Sequence, residues 1–324
     1  MPDVPNRWLI VGSGTIAARH VVCVSQLLGD VSFARLSSSG GPPASSAIDR
    51  MVESVFYDWD SALAWTPDAG IVANATSGHI EALEKLLNFG VPVLVEKPLT
   101  SGLRDAERVV DLALSSGHAV LVGYCLRFHP AVRRVMRLLD SGVLGSPVQC
   151  TAVVGQHIAD WRDRAPEESV SLSSQLGGGA LLELSHEIDL SIALMGPVRE
   201  TSGYTVTPTG YEVDMAASIS LLHERGISSV SLNMLERPAR RSLTVVTTDG
   251  SVSADLIAGG VTTDFGGGQV TVEKNKSPAD MYLDQMRHFL DCARGAADPL
   301  SDLSSAIAVL NCIERVRRST AVSQ

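Results

Sequence analysis

Apolar positions in this chain come in two textures. As far as Gly123, short and nearly continuous apolar runs alternate with segments of helical period. The runs fall at Leu9–Val11, Val31–Ser37, Ala69–Ala75, Val91–Val95 and Ala119–Val122, and helices predicted over His79–Phe89 and Gly102–Ser116 stop at Gly90 and Gly117. Strands without polar alternation need cover on both faces, so this half predicts a doubly wound parallel α/β sheet that takes ligands at the carboxyl ends of its strands.

The second texture begins with a basic amphipathic helix, Pro130–Ser141, and a strand at Val148–Val154. The Gly177-Gly178-Gly179 turn then opens one predicted helix from Ala180 to Met195, stopped by Gly196-Pro197. Strand-like segments follow at Gly203–Thr207, Ala216–Leu222, Ile227–Leu232, Arg241–Thr247 and Gly268–Val272. Punctuated by Glu224-Arg225-Gly226 and Asp249-Gly250, they read as an antiparallel meander. Two helices close the chain, Met281–Arg294 and Leu303–Arg318, the latter behind a Ser301/Asp302 cap and with Leu303, Ile307, Leu310 and Ile313 along one stripe. The expected organisation is an α/β domain over 1–123 and an α+β domain with a large, open, mostly antiparallel sheet over 124–324. The closing helices are expected to pack back toward the first domain. An open sheet needs cover, which predicts a homodimer or homotetramer built through that face.

Composition narrows the partners. Among 324 residues the formal net charge is −10 and no Lys/Arg block stands out, which argues against nucleic acid and anionic membrane surfaces. Cys23, Cys125, Cys150, Cys292 and Cys312 lie in apolar sequence without CxxC spacing and read as buried thiols in a reducing cytosol; no metal site is expected. No secretory leader pattern precedes the first strand, and no apolar run approaches the ~18 residues of a bilayer span, so a cytoplasmic protein is expected.

The chemistry begins at Gly12-Ser13-Gly14-Thr15-Ile16-Ala17, where the first strand meets a glycine turn and a helix. Gly12 permits a tight turn, Gly14 lets backbone approach a phosphate, and the free N–H groups of the helix start favour a dinucleotide pyrophosphate; Ala17 stands where a third glycine is usual. The second strand ends in Ser37-Ser38-Ser39 with no acid between Asp30 and Asp49. Without a carboxylate to repel a 2′-phosphate, and with serine hydroxyls to donate to it, the cofactor reading leans from NAD toward NADP. Lys97 ends an apolar parallel strand and is followed by Pro98. Its ammonium suits a hydrogen bond to an oxygen that gains charge as hydride leaves; the plainer reading is a surface lysine near the following helix. Glu96 reads as its orienting partner or as a solvated carboxylate. His186, on the predicted helix with Asp189 one turn onward, suits proton shuttling near neutral pH; otherwise it is a satisfied helix histidine.

Asn74-Ala75-Thr76-Ser77-Gly78-His79, Val93-Leu94-Val95-Glu96-Lys97-Pro98 and Gly177-Gly178-Gly179 followed by Ser185-His186-Glu187-Ile188-Asp189 together resemble the glucose–fructose oxidoreductase / inositol dehydrogenase (Gfo/Idh/MocA) family over nearly the whole chain. The resemblance implies a Rossmann-like first domain with Thr76, His79, Glu96 and Lys97 along the cofactor. It implies Lys97 and His186 as catalytic residues, and Arg127, in Tyr124-Cys125-Leu126-Arg127-Phe128-His129-Pro130, facing the substrate. Arg127 and His129 read equally well as links between the halves. Trp161 and Arg162 suit a sugar ring and an anionic group, or cover a core edge. Most of the family carries an aspartate a turn and a residue before the histidine, whereas here Leu182 and Glu183 lie four and three before it. Glu183, Glu187 and Asp189 are therefore alternatives for its carboxylate, with Asp189 favoured by spacing. The implied activity is NAD(P)-dependent hydride transfer at a secondary hydroxyl of a sugar, cyclitol or sugar acid. The resemblance also allows an NAD-assisted glycosidase or a silent cofactor-binding regulator, and Lys97 and His186 argue against the latter.

Overall fold

Five residues, Arg7–Val11, form the first strand, β1, and all but Arg7 are fully buried. In the computed structural model, which describes residues 4–37, 47–161, 170–267, 269–274, 280–318 and 321–323, β1 lies at the centre of a six-stranded parallel sheet. Its neighbours are β2 (Ser32–Leu36) and β4 (Ala69–Val72), with β3 (Ser54–Phe56) outside β2, and β5 (Val93–Val95) and β6 (Val120–Val122) outside β4. The chain winds outward from β1 to β3, then crosses back to start again at β4. This reversal makes the carboxyl ends of β1 and β4 the switch point at which such sheets bind ligands.

Helices α1 (Thr15–Leu28), α3 (His79–Phe89) and α4 (Leu103–Ser116) follow the expected pattern. The short α2 (Trp59–Ala64) and the edge strand β3 were not expected. Each is too brief for a periodicity to show, although α2 has a local signal in Asp58, whose carboxylate caps it by accepting from the Ser61 N–H at 2.7 Å. The chain divides into two compact units, the first running to Cys125 and then taking Asp280–Ile307, the second taking Leu126–Ala279 and the chain from Ala308 onward. Within the first unit, α8 (Met281–Ala293) packs on α1. Its Phe289 and Leu290 enter the core formed by Trp8, Ile10, Ile71 and Leu94 of the strands and Val21 and Val24 of α1. The Phe289 ring meets Trp8 at 5.9 Å between centroids, tilted by 60°.

The second unit is built on a nine-stranded, mostly antiparallel sheet, and its order corrects the expected meander. Strands β8 (Val198–Thr207), β9 (Ala216–His223) and β10 (Gly226–Asn233) do run antiparallel in sequence, and so do β11 (Arg240–Thr247), β12 (Ser251–Asp255), β13 (Gly260–Asp264) and β14 (Val270–Lys274). Between β10 and β11, however, lies β7 (Pro147–Gly155), parallel to β10 and antiparallel to β11, while β15 (Ala321–Ser323) adds to β8 in parallel. Local turn signals carry no information on a partner that arrives from so far along the chain. Burial alternates strictly along β9, where Ala217, Ile219, Leu221 and His223 are buried and Ser218, Ser220 and Leu222 are exposed.

The buried face is covered by α5 (Pro130–Asp140), against β12 and β13, and by α7 (His186–Met195), against β7 and β10. The single helix expected from Ala180 to Met195 is two: α6 (Ala180–Glu183) ends at Leu184, and α7 starts at His186. At the break the Ser185 hydroxyl donates to the Leu182 carbonyl at 2.9 Å, a local bond that competes with helix continuation. On the other face, Tyr204, Leu222, Ile227 and Val246 are exposed among serines and threonines. Among the described residues no helix is long and apolar enough to cross a membrane.

If α8 is part of the first unit's core, Phe289→Ala should cost about 3–5 kcal/mol, the range for deleting a buried aromatic. A shift of the urea unfolding midpoint with unchanged slope is the measurement, and an unshifted midpoint would detach α8 from that core.

Candidate active site

At the end of β1 the backbone turns with φ +124° at Gly12, where a Cβ would stand 2.5 Å from the Ala73 carbonyl oxygen and 2.8 Å from the Asn74 nitrogen. Only glycine fits beside the exit of β4. Gly14 is the N-cap of α1; among the described residues no side chain caps it and nothing stands within 4 Å of where its Cβ would be. The first N–H groups of the helix, at Thr15, Ile16 and Ala17, have no acceptor in an earlier turn and carry the positive end of the helix dipole. This cradle fits the pyrophosphate of a dinucleotide.

The end of β2 shows a carboxylate and an arginine already engaged with each other. Arg35 is 1 % exposed and its Nε donates to Asp49 Oδ1 at 2.7 Å. Ser37 is buried and its N–H donates to the Phe56 carbonyl at 2.9 Å; Ser38 and Ser39 lie outside the described residues. Arg35 is thus held by the protein itself.

At the carboxyl end of β5 the chain leaves the sheet through Glu96, Lys97 and Pro98, with a cis Lys97–Pro98 peptide. Lys97 is half-buried. Glu96, with 13 % of its side chain exposed, points Oε1 at His20 Nε2 of α1 (2.7 Å), and its Oε2 accepts from the Lys97 N–H at 3.3 Å. Thr76 sits half-buried in the turn Thr76–Gly78 after β4. His79, expected along the cofactor, is 1 % exposed and ties two strand exits together: Nδ1 is 3.0 Å from the Pro98 carbonyl oxygen and 3.2 Å from that of Leu99, and Nε2 is 3.2 Å from that of Asn74. Burial pushes its pKa below the usual histidine value despite these contacts.

In the second unit, His186 is the first residue of α7 and is buried. Asp189, expected to support it, is fully buried and takes a bidentate pair from Arg127, Nε to Oδ2 at 2.9 Å and an Nη to Oδ1 at 2.7 Å. Arg127, on a turn at Cys125–Phe128, is only 8 % exposed and turns its Nε and one Nη to Asp189; the sequence offered it as a substrate residue or as a structural link. Glu187 is likewise buried and paired with Arg241, at 2.7 and 3.0 Å, a partner that sequence reading missed. His129 caps α5, its Nδ1 accepting from the Ala131 N–H at 3.2 Å, and burial, then nearby Arg241, lower its pKa. Trp161 is half-buried at the end of the turn Ile158–Asp160; Arg162 lies outside the described residues. Glu183 is half-buried at the end of α6. All five cysteines are free and buried, and burial raises Cys23 to about 11 and Cys150 to about 12, which removes them as nucleophiles.

The parallel sheet with its reversal at β1 and β4, the glycine cradle and the lysine at a strand end define the class, an oxidoreductase with an NAD-binding Rossmann fold, and a family model so described matches residues 6–124. The model of the GFO/IDH/MocA C-terminal domain matches residues 132–253. The chain belongs to the Gfo/Idh/MocA family. It is similar to D-xylose 1-dehydrogenase (NADP(+)) 2 of Haloferax volcanii, with 22 % identity over 319 residues and 96 % of each chain covered. Inositol 2-dehydrogenase/D-chiro-inositol 3-dehydrogenase of Lacticaseibacillus casei is 26 % identical over 143 residues, 43 % of this chain and 41 % of that protein. Among solved structures the fold is shared with levoglucosan dehydrogenase in complex with NADH and levoglucosan, at a TM-score of 0.86, 15 % identity and coverage of 97 % and 96 %. It is shared also with an inositol dehydrogenase homolog complexed with NAD+ from Azotobacter vinelandii, at 0.83, 17 %, 97 % and 95 %.

Because Arg127 and Asp189 are both buried, removing one partner strands the other. Arg127→Met should cost about 3–5 kcal/mol, and adding Asp189→Leu should recover most of it. Thermal melts of both variants test this; a stable Arg127→Met protein with impaired substrate binding would return Arg127 to the substrate.

Proposed function

We propose that this protein is an NAD(P)-dependent dehydrogenase or reductase that moves a hydride between nicotinamide and a secondary hydroxyl or ketone of a sugar, cyclitol or sugar acid. The observation that carries the reading is Lys97 at the carboxyl end of β5, in the same unit as an α1 N-terminus that no side chain caps and that Gly12 and Gly14 leave open to phosphate. The dehydrogenases and reductases among its relatives favour net oxidation or reduction over a glycosidase or a silent regulator.

In this reading Thr15, Ile16 and Ala17 bind the pyrophosphate through their N–H groups, with Thr76 flanking the exit of β4. The bound nicotinamide supplies or accepts the hydride. Lys97 donates a hydrogen bond to the reacting oxygen and so favours the alkoxide-like transition state over the ground state. His186 takes or returns the hydroxyl proton, the role for which an imidazole near neutral pH is suited. Asp189 serves by anchoring Arg127 beneath that helix. Trp161 and Arg162 contribute to the substrate side. A second copy of the chain covers the open face of the nine-stranded sheet: its strands present Ser218, Ser220, Ser229, Thr151 and Thr244 with Tyr204, Ile227 and Val246. Five buried cysteines, none in a disulfide, support a cytoplasmic location.

With D-xylose, inositol and levoglucosan as a first panel, absorbance of the reduced nicotinamide should change in proportion to product. Lys97→Ala should lose about 10²–10³ in kcat while NAD(P)H affinity stays near normal. Near-normal kcat would remove Lys97 from the reaction, and lost cofactor affinity would make it a cofactor ligand. Calorimetric titration should find NADP(H) bound at least as tightly as NAD(H), because no carboxylate follows Leu36 at Ser37; a clear preference for NAD(H) would overturn this.

A further inference from the structure

Burying a carboxylate costs free energy unless partners hold it, and an apolar pair of similar volume is often as stable. Glu96 is nevertheless enclosed at the end of β5. A Cβ on Gly123 would stand 2.9 Å from Glu96 Oε2 and 3.0 Å from its Cα, so backbone walls one side. The Lys97 N–H donates to the same Oε2. On the other side is His20 of α1, fully buried, with Nε2 2.7 Å from Oε1. A carboxylate accepts only, so the proton of this hydrogen bond is on Nε2. The His20 ring is held edge-on by Tyr282 of α8, with centroids 6.0 Å apart, and the adjacent Arg19 pairs with Asp280 at 2.6 Å. His20 therefore has little freedom of its own. It belongs to the same helix whose first turn forms the phosphate cradle, and its ring bonds to the residue before Lys97.

We propose that His20 is a positioning residue: through Glu96 it ties the phosphate-binding helix to the strand end that carries Lys97, and so sets the lysine in register with the bound nicotinamide. The proposal rests on the dehydrogenase reading and deepens it. His20 acts from one side of Lys97 and His79, through the Pro98 and Leu99 carbonyls, from the other. Loss of a donor in such a clamp moves the catalytic group without touching it, and displacements of about 1 Å are worth up to about 10²-fold in rate.

The test compares His20→Leu, His20→Gln and Glu96→Gln in the full-length enzyme, using NADH and NADPH as binding probes and the panel polyol turned over fastest. His20→Leu should lower kcat by about 10²-fold with NAD(P)H dissociation constants within about threefold of wild type, and His20→Gln, whose amide can still donate, should regain most of the loss. Glu96→Gln approaches the same bond from its other end and should show the same split of kcat from cofactor affinity. The deciding arm repeats His20→Leu in the Lys97→Ala enzyme, where it should cost nothing further, because the residue through which it acts is gone. An equal loss in that background, or a fall in cofactor affinity that tracks kcat, would overturn the proposal and leave His20 as packing alone. Wild-type enzyme that binds NAD(P)H but reduces or oxidises no panel compound would instead remove the dehydrogenase reading, and this role with it.

Discussion

The first unit depends on how closely two pieces of backbone pass. Where β1 ends, Gly12 lies against the carbonyl of Ala73 and the nitrogen of Asn74, closer than any side chain permits. β1 and β4 stay paired up to that point, and among the described residues no side chain caps the start of α1. The residues that leave β4 and β5 are then tied to one another by His79 and to α1 by Glu96 and His20. Rigidity is concentrated where strands end, which is where binding residues need it.

Guanidinium–carboxylate pairs with at least one fully buried member recur through the chain. Arg35 with Asp49 holds the end of β2, Arg127 with Asp189 and Arg241 with Glu187 hold the two sides of α7. Such pairs contribute little net stability, yet each fails badly when halved, so they fix geometry more than they stabilise it. For α7 the effect is that a helix buried nearly all round keeps one orientation with His186 at its first turn.

The first half of the fold was legible because its information is local. Apolar runs of strand length, helices ended by Gly90 and Gly117, and a glycine turn between β1 and α1 all speak within a few residues of themselves. The order of the second sheet was not, because β7 reaches β10 and β11 from some 80 residues away by chain contour and no turn residue announces it. Short β12 and β13, rich in Ser and Thr, were passed over for the same lack of a long pattern. In the site, Lys97 and Gly12 could be read from their neighbours in sequence, whereas Arg127 and Asp189 meet across 62 residues and each looked available until the other was seen beside it. Ser185 was the one local clue to the helix break, since its hydroxyl turns back on the helix it follows.

Every one of the five thiols is enclosed, from Cys23 in α1 to Cys312 in α9 (Leu303–Arg318). Maleimide and iodoacetamide dyes, which require an accessible thiolate, will find the native surface silent. A single cysteine introduced on an exposed helix face would then carry a spectroscopic label without any native residue having first to be removed.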